Sequence, residues 1–223
     1  MRIIVLGSGG RLGRLLSTMF RENGHTVVGI DMDNSDMLEP EIRSSDIVFL
    51  AVPVRVAIKV IKNYHSTALL VEMSSVKEPF REFRDGIISI HPLFGPLSVG
   101  DPALRNILFI SDISVQGTLD MLKDLFPGFN IFPMSAQQHD EMAIQLQVIP
   151  YIISILSSRS IQDTIVSTRS KNTLAKLAEV SELQSEIVMR DTIRLNPFSG
   201  KAYATIREIL ADMGGEFLDR DSS

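Results

Sequence analysis

The stretch "VLGSGGRLGRLL" (residues 5–16) decides how the first half of the chain is read. An apolar run, "RIIVLG" at 2–7, breaks at a cluster of glycines, and a helical period starts at once: Leu12, Leu15, Leu16, Met19 and Phe20 share one face, with Asn23-Gly24 as a stop. A second apolar run, "HTVVGID" at 25–31, follows directly. Strand, helix and strand within about 30 residues make a βαβ unit. Glycines at such a turn allow a tight bend, close approach of the backbone to a pyrophosphate, and close helix–strand packing, while the helix N-terminus faces the phosphates. The register departs from the plain one. Counted back from Gly13, the spacing G-x-G-x-x-G uses Gly10 and Ser8, whereas the glycines present are Gly7, Gly9, Gly10 and Gly13. The segment Gly7, Ser8, Gly9, Gly10, Arg11, Leu12 and Gly13 is therefore the candidate dinucleotide cradle, with the Ser8 hydroxyl as a candidate phosphate contact.

Working outward, five more runs have strand character: "DIVFLAVP" (46–53), "ALLVEMS" (68–74), "IISIH" (87–91), "ILFISD" (107–112) and "FNIFPM" (129–134). They are apolar without a break rather than alternating, the pattern of parallel strands covered on both faces. From residue 135 the period is helical. Met142, Leu146, Ile149, Ile153 and Leu156 recur at spacings of three and four, and Val148, Ile152 and Ile155 widen the face. Pro150 lies inside this helix and is expected to kink it. Further helices are predicted over 171–180, 182–194 and 200–213, with Gly214-Gly215 as the final stop and a frayed tail "DRDSS". The expected fold is α/β: a doubly wound, mostly parallel sheet over residues 1–134, then a small all-helical domain over 135–223.

Composition narrows the function. A formal net charge of −5 offers no basic face for nucleic acid. The absence of cysteine excludes disulfides, thiolate metal sites and thiol nucleophiles, and no metal is expected. No apolar run approaches the ~20 residues of a spanning helix, and a strand entered at residue 3 leaves no room for a leader, so a cytoplasmic protein is expected.

The strand ends carry the remaining candidates. Asp31 ends the second run, where a carboxylate accepts bonds from ribose hydroxyls and repels a 2′-phosphate, so NAD is favoured over NADP. Ala51, Val52 and Pro53 end the third run and would flank the cofactor ribose with their backbone. Ser74 and Ser75 end the fourth, and His91 ends the fifth, at the carboxyl edge where open α/β sheets bind ligands.

The glycine turn at 7–13, "SSVK" at 74–77, "HPLFGP" at 91–96 and "HDEMA" at 139–143 together resemble the prephenate dehydrogenase family of tyrosine biosynthesis, in order and spacing, over most of the chain. The resemblance implies a Rossmann domain joined to a helical domain that dimerises, and NAD as cofactor; the short helical domain and the broad apolar faces of its central helix predict a homodimer through residues 139–213. It implies oxidative decarboxylation of prephenate to 4-hydroxyphenylpyruvate, or the same chemistry on its amino analogue arogenate, which gives tyrosine directly. His91 would take the proton of the ring hydroxyl, and Ser75 would hold the imidazole or the hydroxyl in line. The resemblance also places substrate recognition in the helical domain, where family members often carry a histidine; here Gln145, Gln147 and Tyr151 occupy that region. A family arginine that pairs with a carboxylate aligns with Lys176, a point charge rather than a fork. His139 is read as structural, opening the central helix beside Asp140. Two readings on the same fold stay open: a reductase of a 3-hydroxy acid or imine, which would want a lysine that 139–158 lacks, and a non-catalytic NAD-sensing protein, which would need no base.

Overall fold

The structure, a computed structural model, describes residues 1–64 and 67–218, with side chains through 214. The tail "DRDSS" lies outside the described residues. The chain divides into two compact units, Met1–His139 and Asp140–Ser223.

The first unit is a seven-stranded sheet in the order β2-β1-β3-β4-β5-β6-β7. Its strands are β1 (Arg2–Leu6), β2 (Thr26–Ile30), β3 (Ile47–Leu50), β4 (Leu69–Glu72), β5 (Ile88–Pro92), β6 (Asn106–Ile110) and β7 (Asn130–Met134). The first five run parallel; β6 pairs antiparallel with β5, and β7 runs parallel to β6. Helices α1 (Arg11–Glu22), α2 (Leu38–Arg43), α3 (Val54–Asn63) and α4 (Thr118–Leu125) connect them. This is a Rossmann-type sheet, and its core explains the unbroken apolar runs: Ile3, Val5, Ile47, Phe49, Val71 and Ile88 are buried in one cluster with Leu16 and Phe20 of α1.

Strand order reverses between β1 and β3, so a crevice opens there at the carboxyl edge. The glycine turn fills one lip of it. Gly7 has φ +85°, and a Cβ there would stand 2.3 Å from the Ala51 carbonyl oxygen after β3. A Cβ on Gly13 would meet the Gly7 carbonyl oxygen at 2.1 Å. Gly7 thus makes the bend, and Gly13 lets α1 lie against the strand. Ser8 turns its hydroxyl to β2, where a Cβ on Gly29 would come within 2.8 Å of it.

The second unit is helical. Helix α5 (Ala136–Ala143) leads into a π-helical turn, Ile144–Val148, and then α6 (Ile149–Ser160), followed by α7 (Arg169–Leu183), α8 (Glu186–Leu195) and α9 (Ser199–Leu218). The composition shifts at 135, yet the helix stays with the sheet unit through His139. Pro150 is the second residue of α6, directly after the widened turn. A proline lacks the amide donor, and its ring crowds the carbonyl four residues back; a π turn is one way a helix absorbs this. Gly214-Gly215 do not end α9, which runs on to Leu218. Ile144, Val148, Ile152 and Ala202 form the unit's core. The continuous helical run Ala136–Ser160 is long and apolar enough, by length and composition alone, to cross a membrane. Within the unit its buried residues pack as a core helix does.

The glycine contacts set an expectation for stability. Gly13→Ala should cost about 1–3 kcal/mol, since the backbone atoms it meets cannot swing aside. Gly95→Ala, with nothing within 4 Å of the new Cβ, should stay within about 0.5 kcal/mol of the parent. Urea midpoints of the two variants measure the difference.

Candidate active site

The residues at the crevice suit a dinucleotide. Helix α1 begins after Gly10 with no side-chain cap and no acid in its first turn. The first intrahelical bond is Arg14 N–H to the Gly10 carbonyl, so the amides of Arg11, Leu12 and Gly13 precede the ladder and point outward from the helix start. Such an end favours a phosphate. Gly9 and Gly10 are exposed. Asp31, just past β2, accepts the Gly9 amide at 2.7 Å through Oδ2 and the Met32 amide at 2.8 Å through Oδ1. A Cβ on Gly9 would stand 2.8 Å from that Oδ2. The carboxylate is thus fixed beside the turn, and an ionised carboxylate has about four acceptor positions, enough for ribose hydroxyls as well. Ala51, Val52 and Pro53 form the facing lip, half-buried.

At the same edge of the sheet stands a buried polar cluster that links β4, the turn after it, β5 and the start of α5. Glu72 ends β4 with no exposure, and Lys77, also with none, donates to its Oε1 at 2.7 Å. The same ammonium donates to the Ile90 carbonyl at 2.7 Å. The Ser89 hydroxyl donates to Glu72 Oε1, and the Ser74 amide to Oε2 at 2.9 Å. One carboxylate therefore gathers an ammonium, a hydroxyl and an amide, as a buried charge requires. Ser75 lies buried inside the loop that this arrangement holds, and His91 directly follows the carbonyl that Lys77 grips.

His91 is 5% exposed and His139 is fully buried. His91 Nδ1 lies 2.8 Å from His139 Nε2, with the rings 5.0 Å apart between centroids. Burial holds the His91 pKa well below that of an ordinary imidazole, and His139 and the Lys77 charge add to the effect. Burial first, then Lys77, takes His139 down to about 2. Both rings are neutral at physiological pH.

The structure thus brings Ser74, Ser75 and His91 to one sheet edge and adds three partners that the sequence reading passed over. Lys77 stood in the quoted "SSVK" and Glu72 in a strand, but a lysine and a glutamate read as surface residues. His139 stood in "HDEMA" and was assigned to the helix start, where it does lie; its imidazole also bonds the candidate base. Within the helical unit, Tyr151 is buried and hydrogen-bonded to Gln147, and burial raises its pKa against that bond. Lys176 is exposed on α7, and Gln145 is exposed on the π turn.

The neutral pair makes stability depend on pH with a definite sign. Unfolded histidines take up protons near pH 6.5, whereas the folded pair does so only at lower pH. The unfolded chain therefore binds more protons below 6.5: the stabilisation is whole above that pH and is lost as pH falls. The slope approaches about 1.4 kcal/mol per pH unit for each histidine. Urea midpoints at pH 7 and 5 should show the loss, and His139→Gln should remove about half of the pair's share.

Residues 16–115 match the family model described as "Prephenate dehydrogenase, nucleotide-binding domain". A T-protein of Haemophilus influenzae is 25% identical over 103 residues, 42% of this chain and 27% of that protein. A protein of Methanocaldococcus jannaschii described as a probable arogenate/prephenate dehydrogenase is 21% identical, over 89% of this chain and 50% of that one. The chain thus spans half or less of the length of these two relatives. Among solved structures, prephenate dehydrogenase from A. aeolicus, in complex with hydroxyphenyl propionate and NAD+, superposes with a TM-score of 0.74 at 15% identity, covering 100% of this chain and 92% of that one. Over residues 16–115 the chain is thus similar to the nucleotide-binding domain of prephenate dehydrogenases, and along its length it shares the fold of the A. aeolicus structure.

Proposed function

We propose that this protein catalyses the NAD-dependent oxidative decarboxylation of prephenate to 4-hydroxyphenylpyruvate. The observation that carries this reading is a buried, neutral histidine, His91, on the same sheet edge as a glycine turn suited to a dinucleotide. The turn residues 7–13 would hold the pyrophosphate, Asp31 the adenine ribose, and Ala51 to Pro53, with Ser74, the nicotinamide side. The A. aeolicus structure, described as a complex with NAD+, supports this cofactor.

Bound nicotinamide would supply the hydride acceptor. His91 then does the proton work. Its Nδ1 faces His139, so it acts on the ring hydroxyl through Nε2, with Ser75 aligning the two. As hydride leaves the carbinol carbon, that hydroxyl becomes strongly acidic, and a weak base suffices. The C–CO₂ bond then breaks, its electron pair enters the ring, and His91 returns the proton to the forming phenolate. No net proton is consumed. A histidine already charged could not begin this sequence, which is the use of its lowered pKa. Substrate contacts are assigned to Gln147, Tyr151 and Lys176 of the helical unit.

Arogenate is the second reading, favoured by the double description of the M. jannaschii relative; it differs from prephenate only in the side chain, away from the carbinol. A non-catalytic NAD sensor would have no use for the histidine pair. We further infer a cytoplasmic homodimer. Exposed apolar residues of the helical unit, among them Leu156, Ile187, Ile209 and Leu210, support a covered face.

Mixing the protein with NAD+ and prephenate should raise the absorbance of the reduced cofactor with one CO₂ released per turnover, and arogenate in place of prephenate decides the substrate. His91→Asn should lower kcat by about 10²–10⁴ and leave NAD binding unchanged; a parallel loss of NAD binding would make His91 structural. Light scattering should give twice the chain mass.

A further inference from the structure

We propose that His139 is a positioning residue that makes His91 a base, by accepting the His91 Nδ1 proton at its own Nε2. This rests on the reading of His91 as the proton acceptor, and it deepens that reading by naming what fixes the imidazole.

The argument begins with the pair's geometry. Two nitrogens 2.8 Å apart share one hydrogen. A neutral imidazole has one N–H and one lone pair, so two arrangements exist. If His139 donates from Nε2, His91 must carry its proton on Nε2 and faces the substrate as a donor. If His91 donates from Nδ1, its Nε2 presents a lone pair and can take a proton. Only the second arrangement gives a base, and it requires His139 to hold its own proton on Nδ1. A doubly protonated ring would break this logic. The surroundings oppose one: both rings are buried, and the Lys77 ammonium, which bonds the carbonyl next to His91, is the cation facing them. The charged and titratable groups of the cluster are Lys77 and Glu72 from β4 and its turn, His91 from β5, and His139 from α5, and Glu72 is already bonded to Lys77, Ser89 and the Ser74 amide.

The elements explain why position 139 can serve. His139 lies in the first turn of α5, whose start is fixed by the Ala136 amide donating to Asp112 Oδ1 at 2.7 Å and by the His139 amide donating to the Ser135 carbonyl. His91 sits near the end of β5, paired with Leu108 across the antiparallel step. Both backbones are therefore anchored within the sheet unit, and the imidazoles meet without needing a mobile segment.

The test joins a spectroscopic and a kinetic readout. Long-range ¹H–¹⁵N correlation spectra of the wild-type protein should show His91 protonated on Nδ1. In His139→Leu the ring should revert towards the Nε2–H form that free histidine side chains favour. kcat should then fall roughly 10²-fold with KM and NAD affinity little changed. In His139→Gln the amide oxygen can accept the Nδ1 proton, so the tautomer and most of kcat should return. An Nε2–H tautomer in the wild type overturns the proposal, and so does a folded His139→Leu variant with full kcat. So does a folded His139→Gln variant as slow as His139→Leu, since that marks the ring as merely structural. If prephenate and arogenate are both inert while wild-type His91 carries its proton on Nδ1, the tautomer assignment stands and the reaction assigned above falls.

Discussion

The site depends on one buried ammonium. Lys77 has no exposed surface, and it bonds both the Glu72 carboxylate at the end of β4 and the Ile90 carbonyl on β5. These two strands share only a short parallel register, Val71 with Ile88 and Glu72 with Ser89. The ion pair extends that joint past the last paired residues, to where Ser75 and His91 stand. A buried pair of this kind is not an efficient source of stability, because desolvation offsets the attraction, but removing one partner costs about 3–5 kcal/mol. Its value lies in what it holds. The turn with the serines cannot shift against the strand with the histidine while one ammonium grips both sides.

That arrangement also sets the electrostatics. Burial of the two imidazoles opposes their protonation, and the cation beside them opposes it further. The usual way to build a base is to raise its pKa towards the working pH. Here the environment does the opposite and guarantees the unprotonated form. For the reaction proposed above, such a base would suit a substrate hydroxyl whose acidity grows as hydride departs, because the proton would be held only briefly before it returned to the ring.

Much of this was legible in the sequence, for physical reasons that differ by element. The five inner strands could be read because strands covered on both faces must be apolar throughout, as Ile47–Leu50 and Ile3–Leu6 are, and the edge strands β2 and β7 are apolar in sequence although more exposed. The glycine turn could be read because Gly7 and Gly13 stand where no side chain fits. The antiparallel step from β5 to β6 left no signal, since a strand buried on both faces reads the same in either direction. Helix α9 passes through Gly214-Gly215 because a helix tolerates glycine at about 1 kcal/mol each, and a stop signal is only a bias. The widened turn before Pro150 could be expected as a disturbance but not as a π turn, since several backbone adjustments absorb a missing donor.

The site residues that escaped, Glu72, Lys77 and His139, share one feature. Each is a polar residue whose burial is justified only by a partner elsewhere in the chain. Lys77 needs Glu72, five residues before it, and the carbonyl of Ile90, thirteen after; His139 needs a ring 48 residues away. Periodicity reports which face of an element is apolar, and it carries no information about a pair formed across elements. What the sequence did offer was position: "SSVK" directly after one strand, "HPLFGP" at the end of the next, and "HDEMA" at a helix start. The ends of parallel strands meet at a sheet's carboxyl edge, so Glu72, Lys77 and His91, at or just after the ends of β4 and β5, had reason to find partners in one another rather than in solvent. "HDEMA" follows β7, which runs against β4 and β5, so that rule gave no sign of His139.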